Sequence, residues 1–405
     1  MDALDIVTNL QRVIPYYQAI FSADEHRVIG YEVLGRYRSE DGIVSLGPFF
    51  HDEAIPEEFR LEVDEVVTRK ALDHFLLNDD HSLLIFLNQD ANLLMMDRAE
   101  SFLSLLFQYK EKGLSLDRIV LEINEPFFKG DFNQLSHLLT YIRTYGIRVA
   151  LDHIGEHSSN LERISLLAPD ILKMDLHELR KISSSYSYQD VLYSISLLAR
   201  KMGATLLYED IETSFQLQYA WQNGGRYYQG YYLAEPQSAL LPADFLKDRL
   251  RQECHGFIQL EKKKLQILYN ISEQFQQRVT ALLSKYKKTA SFNELISSLA
   301  AELSDVCFRI YVCDEDGFQK SANIFKKSHV WELQPEYYMK NWSWRPYFLE
   351  NIVRMRSRKR GILSDLYGDI ETGETIRTYS YPIDECHYLF IDLSYSYLFE
   401  HDAHY

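Results

Sequence analysis

IVLEINEPFFKGDFNQLSHLLTYIRTYGIRVALD, residues 119–152, decides the fold. Ile119–Leu121 is a short apolar run that ends on Glu122, and Val149–Leu151 is another that ends on Asp152. Between them, Leu135–Tyr145 carries apolar residues at helical spacing. A strand, a helix and a second strand in this order read as a βαβ unit with parallel strands. The pattern recurs along the chain. Val28–Tyr31 runs into Glu32, Leu83–Leu87 into Asn88, Ile171–Leu172 into Lys173, Leu206–Tyr208 into Glu209 and Tyr227–Tyr228 into Gln229. Val66–Phe75, Tyr188–Met202 and Ser214–Gln222 supply further helices. Runs apolar nearly throughout suit strands covered by helices outside and packed side chains inside. The expectation is an α/β fold, a TIM-like (β/α)8 barrel over residues 1–242. Its start departs from the pattern. Val13–Phe21 and Arg27–Leu34 are joined only by Ser22–His26, too short for a crossover helix, so the first strand is expected to run antiparallel.

Pro242 suits a helix start, and the following residues, through about Lys287, contain one glycine and no further proline. Leu246, Leu250, Phe257, Leu265, Leu268, Phe275, Val279 and Leu282 fall on a helical stripe, so residues 243–290 read as a connecting helix. That stripe suits either a dimer seam or packing on the helix's own barrel. Residues 291–405 differ in kind. Strand candidates Phe308–Cys313, Thr375–Pro382 and His387–Leu393, with turn signals at Asp314–Gly317 and Thr372–Gly373, suit a small α+β domain with an antiparallel sheet.

Composition excludes several classes. Apolar residues at 46% and charged residues at 25% are those of a globular protein, and the formal charge of −16 opposes binding to a nucleic acid polymer. No run of 18 apolar residues and no charged-then-apolar leader is present in the sequence, so no membrane insertion and a cytoplasmic location are expected. Cys254, Cys307, Cys313 and Cys386 lack CxxC spacing and read as reduced thiols.

Taken singly, an acid after a strand is most often a cap or a turn residue facing water. Seven strand ends in one barrel-sized segment offering Glu, Asn, Glu, Asp, Lys, Glu and Gln are another matter, because barrel strand ends converge on one face. Carboxylate and amide oxygens, with neither histidine nor cysteine among them, suit a hard divalent cation and hence a phosphoryl substrate.

These positions resemble the EAL family, whose members bind and usually hydrolyse cyclic di-GMP. The family's signature tripeptide appears as Glu32-Val33-Leu34, within Gly30–Arg36. Leu121-Glu122-Ile123-Asn124-Glu125, Leu172-Lys173-Met174-Asp175, Glu209-Asp210-Ile211-Glu212 and Gln229-Gly230-Tyr231-Tyr232…Pro236 follow in the family's order. The resemblance implies that Glu32, Asn88, Glu122 and Asp152 hold Mg²⁺ or Mn²⁺. Glu209 would complete the metal and water site, and Lys173 would orient or activate the attacking water. It places Gln229 in support of the cluster, Arg36 on a ligand phosphate, and Gln18, Leu34 and Pro236 on the nucleotide side. Glu125, Asp175 and Glu212 are then supporting residues, Glu125 pinning the loop after Asp152. The implied activity is hydrolysis of one phosphodiester of cyclic di-GMP to pGpG, by a homodimer.

Two departures bear on turnover. Where active relatives carry paired aspartates this chain reads Asp152-His153, and the following loop contains Glu156 and His157. Imidazole is a poorer ligand than carboxylate for Mg²⁺, so one ion site is expected and the second is weakened. The alternative is a receptor that senses cyclic di-GMP and signals through its C-terminal domain, which resembles PAS-like or Cache-like sensors. A Schiff-base aldolase built on Lys173 is disfavoured, because a lysine among carboxylates stays charged.

Overall fold

Eight strands close on one another because the first is hydrogen-bonded to both the second and the last. The computed structural model describes residues 3–78, 80–124, 128–154, 161–180, 186–345, 348–394 and 396–398. The chain divides into two units, Met1–His255 and Gly256–Tyr405.

In the first unit, α1 (Ala3–Thr8) precedes β1 (Val13–Ser22), β2 (Val28–Ser39) and β3 (Gly42–Ser45), followed by α2 (Gly47–His51) and α3 (Glu57–Leu76). There follow β4 (Leu84–Gln89), α4 (Ala91–Met96), α5 (Glu100–Glu111), β5 (Ile119–Ile123), α6 (Phe132–Arg143) and β6 (Arg148–Ile154). Then come α7 (Leu161–Leu167), β7 (Ile171–Asp175), α8 (Tyr186–Met202), β8 (Thr205–Glu209), α9 (Ser214–Gln222) and β9 (Tyr227–Tyr228). Around the barrel the order is β1, β9, β8, β7, β6, β5, β4, β2, with β3 outside as a hairpin on β2. Only β1 runs against its barrel neighbours, as the short Ser22–His26 connection requires.

Local signals set the helices. Asp131 caps α6 by accepting from the Asn133 amide, and Thr213 with Gln216 forms a capping box on α9. The α3 face that meets the barrel carries Val63, Val67, Ala71 and Phe75 four residues apart, all buried. Inside the barrel, Ile20, Phe86, Val120, Ala150, Ile171 and Leu207 form one apolar layer, with Tyr227 packed against it. At Gly30 a Cβ would lie 2.7 Å from both Cβ and O of Leu84, so only glycine lets β2 and β4 approach there.

The second unit begins within α10 (Lys247–Lys285), whose Ile271, Phe275 and Val279 pack with Ile296 and Leu299 of α11 (Phe292–Glu302). Its sheet contains β10 (Cys307–Asp314), β11 (Asn323–Lys327), β12 (Val330–Gln334), β13 (Ile362–Leu363), β16 (Thr378–Pro382) and β17 (His387–Leu393), all antiparallel. Helix α12 (Phe348–Arg358) precedes β13, and β14 (Tyr367–Gly368) pairs with β15 (Thr375–Ile376). The sequence signals mark β10 and β17, and the single strand expected over Thr375–Pro382 is divided at Arg377 into β15 and β16. Strands β11, β12, β13 and β14 carry no such signal.

Arg309 holds this sheet to the β14–β15 hairpin. Its Nε meets Asp392 at 2.5 Å, Nη2 meets Asp369 at 2.7 Å and Nη1 meets Glu371 at 2.8 Å. Asp392 and Asp369 are both buried. Removing one partner of such a pair strands the others in low dielectric, so Arg309→Ala is expected to destabilise the second unit by about 3–5 kcal/mol. Urea unfolding of the full chain checks it, and a change below 1 kcal/mol, by the scale of exposed pairs, would contradict the assignment.

Candidate active site at the barrel mouth

Each barrel strand brings one polar side chain to the same end of the cylinder. Side chains two apart on a strand share a face. Asn88 therefore sits above Phe86, Glu122 above Val120, Asp152 above Ala150, Lys173 above Ile171, Glu209 above Leu207 and Gln229 above Tyr227. Glu32 follows Gly30 in the same way. On the reversed β1, Gln18 lies two residues before Ile20 and directly opposite Glu32. Register pairs Asn88 with Glu122, and Asp175 with Glu209. The β6–β7 register shifts between Leu151 and Ile154, so Asp152 stands at an irregularity of the kind that re-aims side chains.

The ammonium of Lys173 is the centre of the cluster. Its Nζ lies 3.1 Å from Glu32, 2.9 Å from Glu122, 3.0 Å from Asp152 and 3.1 Å from Glu209. Burial alone would lower the lysine pKa, but the four carboxylates outweigh it and raise the group well above its usual value. Such an ammonium stays protonated, which removes the Schiff-base reading. Glu32 is fixed further, Oε1 accepting from Asn88 Nδ2 at 2.9 Å and Oε2 from Gln229 Nε2 at 2.6 Å.

Four carboxylates around one ammonium leave the cluster formally short of three positive charges. Glu122, 1% exposed, bears the consequence. Burial first, then the charge of Glu32, hold its carboxyl well above the ordinary range despite Lys173. Its Oε2 has no hydrogen-bond partner among the described residues, and neither has Oε1 of Gln229. An all-oxygen, anionic and incompletely satisfied cluster fits a hard divalent cation. Among the described residues no three His, Cys, Asp or Glu side chains close on an empty cation position. The point the four carboxylates share is taken by the ammonium.

The other expected residues line the rim. Leu34 and Arg36 continue the Glu32 face of β2, both half-buried, and the Arg36 guanidinium bonds the Gly35 carbonyl and the Ser45 hydroxyl beside the Tyr16 ring. Pro236 precedes Gln237, which exchanges two backbone hydrogen bonds with Tyr17 on β1. Asp175 is buried and accepts from the His177 amide, while Glu212 starts the turn capped by Gln216. Glu125, Glu156, His157 and the side chain of His153 lie outside the described residues.

Two backbone positions explain sequence details. Asp210 has φ +54°, a left-handed conformation that Asp tolerates. Gly230 has φ +150°, and a Cβ there would lie 2.2 Å from the Ile211 carbonyl oxygen. Gly230→Ala is therefore expected to cost about 3 kcal/mol and to dislodge Gln229, seen as a lowered Tm together with weakened ligand binding. Unchanged thermal unfolding would refute it.

This barrel, with its carboxylate ring, belongs to the EAL-domain family, whose model matches residues 2–236. Residues 240–405 match the EAL-domain associated signalling protein domain. Among relatives, the chain is 60% identical to the EAL-domain containing protein YkuI of Bacillus subtilis over 405 residues, covering 100% of this chain and 99% of YkuI. The crystal structure of YkuI in complex with substrate c-di-GMP and calcium is similar at a TM-score of 0.95, covering 99% of each chain. The cyclic di-GMP phosphodiesterase PA2567 of Pseudomonas aeruginosa is 30% identical over 145 residues, 35% of this chain and 24% of its own length. No helix among the described residues is long and apolar enough to cross a membrane.

Proposed function

We propose that this chain binds cyclic di-GMP and opens one of its phosphodiester bonds, giving pGpG. The observation that carries this reading is the ring of strand-end side chains around Lys173, and a 60% identical relative crystallised with c-di-GMP and calcium supports it. Glu32, Asn88, Glu122 and Asp152 would hold a divalent ion, Mg²⁺ or Mn²⁺, and Glu209 would complete the set. Such an ion would supply charge neutralisation at phosphate and lower the pKa of a water. Lys173 keeps its charge, compensates the carboxylates and orients the attacking water by hydrogen bonding. Gln229 fixes the rotamer of Glu32. Arg36 offers a planar fork to a phosphate, while Gln18, Leu34 and Pro236 border the nucleotide.

A receptor without turnover is favoured by one sequence feature, His153 in place of the second aspartate. Incubation with labelled cyclic di-GMP under Mg²⁺ and Mn²⁺, scoring binding and pGpG together, separates the two readings. Product formation supports the enzyme. Binding without product supports the receptor, and His153→Asp is then expected to raise turnover. Absence of binding overturns both. The chain is taken to be a cytoplasmic homodimer whose C-terminal unit is a PAS-like sensor, and a monomer in sedimentation at micromolar concentration would remove the dimer.

A further inference from the structure

Tyr232, three residues after Gln229, is held by two residues near the start of α10 that stand one turn apart. Glu253 accepts the Tyr232 hydroxyl on both carboxylate oxygens, at 3.0 and 3.1 Å. Arg249, one turn earlier, meets Glu253 at 3.0 Å and lies over the Tyr232 ring, 4.3 Å from its centroid. The neighbouring Cys254 is buried.

The connection onward is short and stiff. The Tyr232 amide donates to the Ile211 carbonyl at 2.9 Å, and the Ile211 amide donates to the Gln229 carbonyl at 3.2 Å. Gly230 is wedged against the same Ile211 backbone. Gln229 Nε2 then donates to Glu32 at 2.6 Å, and Ile211 itself follows Glu209 by two residues. A hydroxyl bonded to a carboxylate that is paired with a stacked guanidinium makes a charge-assisted joint rather than a passing surface contact.

We propose that Tyr232, Glu253 and Arg249 form a positioning clamp that holds the Gln229 side chain against Glu32, making α10 a determinant of the geometry of the carboxylate ring. The same helix later contributes Ile271, Phe275 and Val279 to the core of the second unit. The clamp therefore lies on the covalent path between that core and the ring. Its effect on ligand rests on the function proposed above, whereas its effect on the backbone does not.

The test uses the full chain with Tyr232→Phe, Glu253→Ala, Glu253→Gln and Gln229→Ala, read by hydrogen exchange over residues 229–233 and by Mn²⁺ and cyclic di-GMP affinity. Tyr232→Phe and Glu253→Ala are each expected to raise exchange and weaken both affinities by about tenfold. Glu253→Gln, which keeps an acceptor for Tyr232 but loses the ion pair with Arg249, is expected to fall between the parent and Glu253→Ala. In the Gln229→Ala background, Tyr232→Phe is expected to weaken affinity no further, because its effect passes through Gln229. Additive losses, or exchange unchanged in Tyr232→Phe, would overturn the clamp. Should the parent chain bind neither ion nor nucleotide, the functional reading falls, and exchange alone still decides the clamp.

Discussion

Glu32→Gln is expected to lower cyclic di-GMP hydrolysis by about a thousandfold, equivalent to roughly 4 kcal/mol of transition-state stabilisation. The reasoning is stereochemical as much as electrostatic. Both oxygens of Glu32 are committed, Oε1 to the Asn88 amide and Oε2 to Lys173 and Gln229. A glutamine retains one acceptor and turns an NH₂ toward either the Asn88 amide or the Lys173 and Gln229 donors. Two donors then face each other, and one must turn away. The same substitution removes an anion from the set proposed to hold the ion. Loss of one donor hydrogen bond alone would be a smaller event, on the order of 1 kcal/mol. Chromatographic assay of pGpG under Mg²⁺, with thermal unfolding to establish that the variant is folded, checks the prediction. Parent-like turnover in a folded variant would remove Glu32 from the chemistry.

Why so much of this site was legible is clear from the period of the strands. Phe86 then Asn88, Val120 then Glu122 and Leu207 then Glu209 write the barrel interior and its mouth two residues apart, so an apolar run ending in a polar residue marks the mouth. Gln18 carries no such mark, because β1 runs the other way and the residue falls in mid-strand; only the family resemblance pointed to it. Distances between strands are not written in one strand's text, so the sequence set Lys173 among carboxylates without showing its ammonium within 3.1 Å of all four. Nor did it give Tyr232, quoted only as part of the closing motif, a partner; Glu253 beside its hydroxyl is a finding of the structure. In the second unit, β11 and β12 carry no such mark. Most of β12 faces solvent, so its hydrophobic alternation is weak, whereas β10 and β17 are buried along nearly their full length.

Lys173→Met is expected to destabilise the metal-free chain by about 3–5 kcal/mol at pH 8, because it leaves four buried carboxylates without their shared cation. For a unit of this size that corresponds to a fall in Tm of about 10 °C. The pH dependence has a definite sign. The folded pKa of Glu122 is already raised by burial and by Glu32, with Lys173 opposing the rise, and removing the lysine raises it further. A carboxyl whose folded pKa exceeds its unfolded value adds stability that is fully present below the unfolded pKa. That contribution is lost as pH climbs through the folded pKa. The variant should therefore lie closer to the parent at pH 5 than at pH 8, protons standing in for the missing ammonium. The parent should show the same slope in weaker form when metal is chelated. Lys173 does not reverse that slope, since its own pKa is raised well above the usual lysine value and it stays charged across the window. Millimolar Mn²⁺ should recover part of the loss at pH 8, where the carboxylates are free to take it. Unfolding curves with chelator and with Mn²⁺, at both pH values, give all four comparisons. A variant as stable as the parent at pH 8 in chelator would mean that the ring does not depend on its lysine, and the electrostatic account of the site would fail with it.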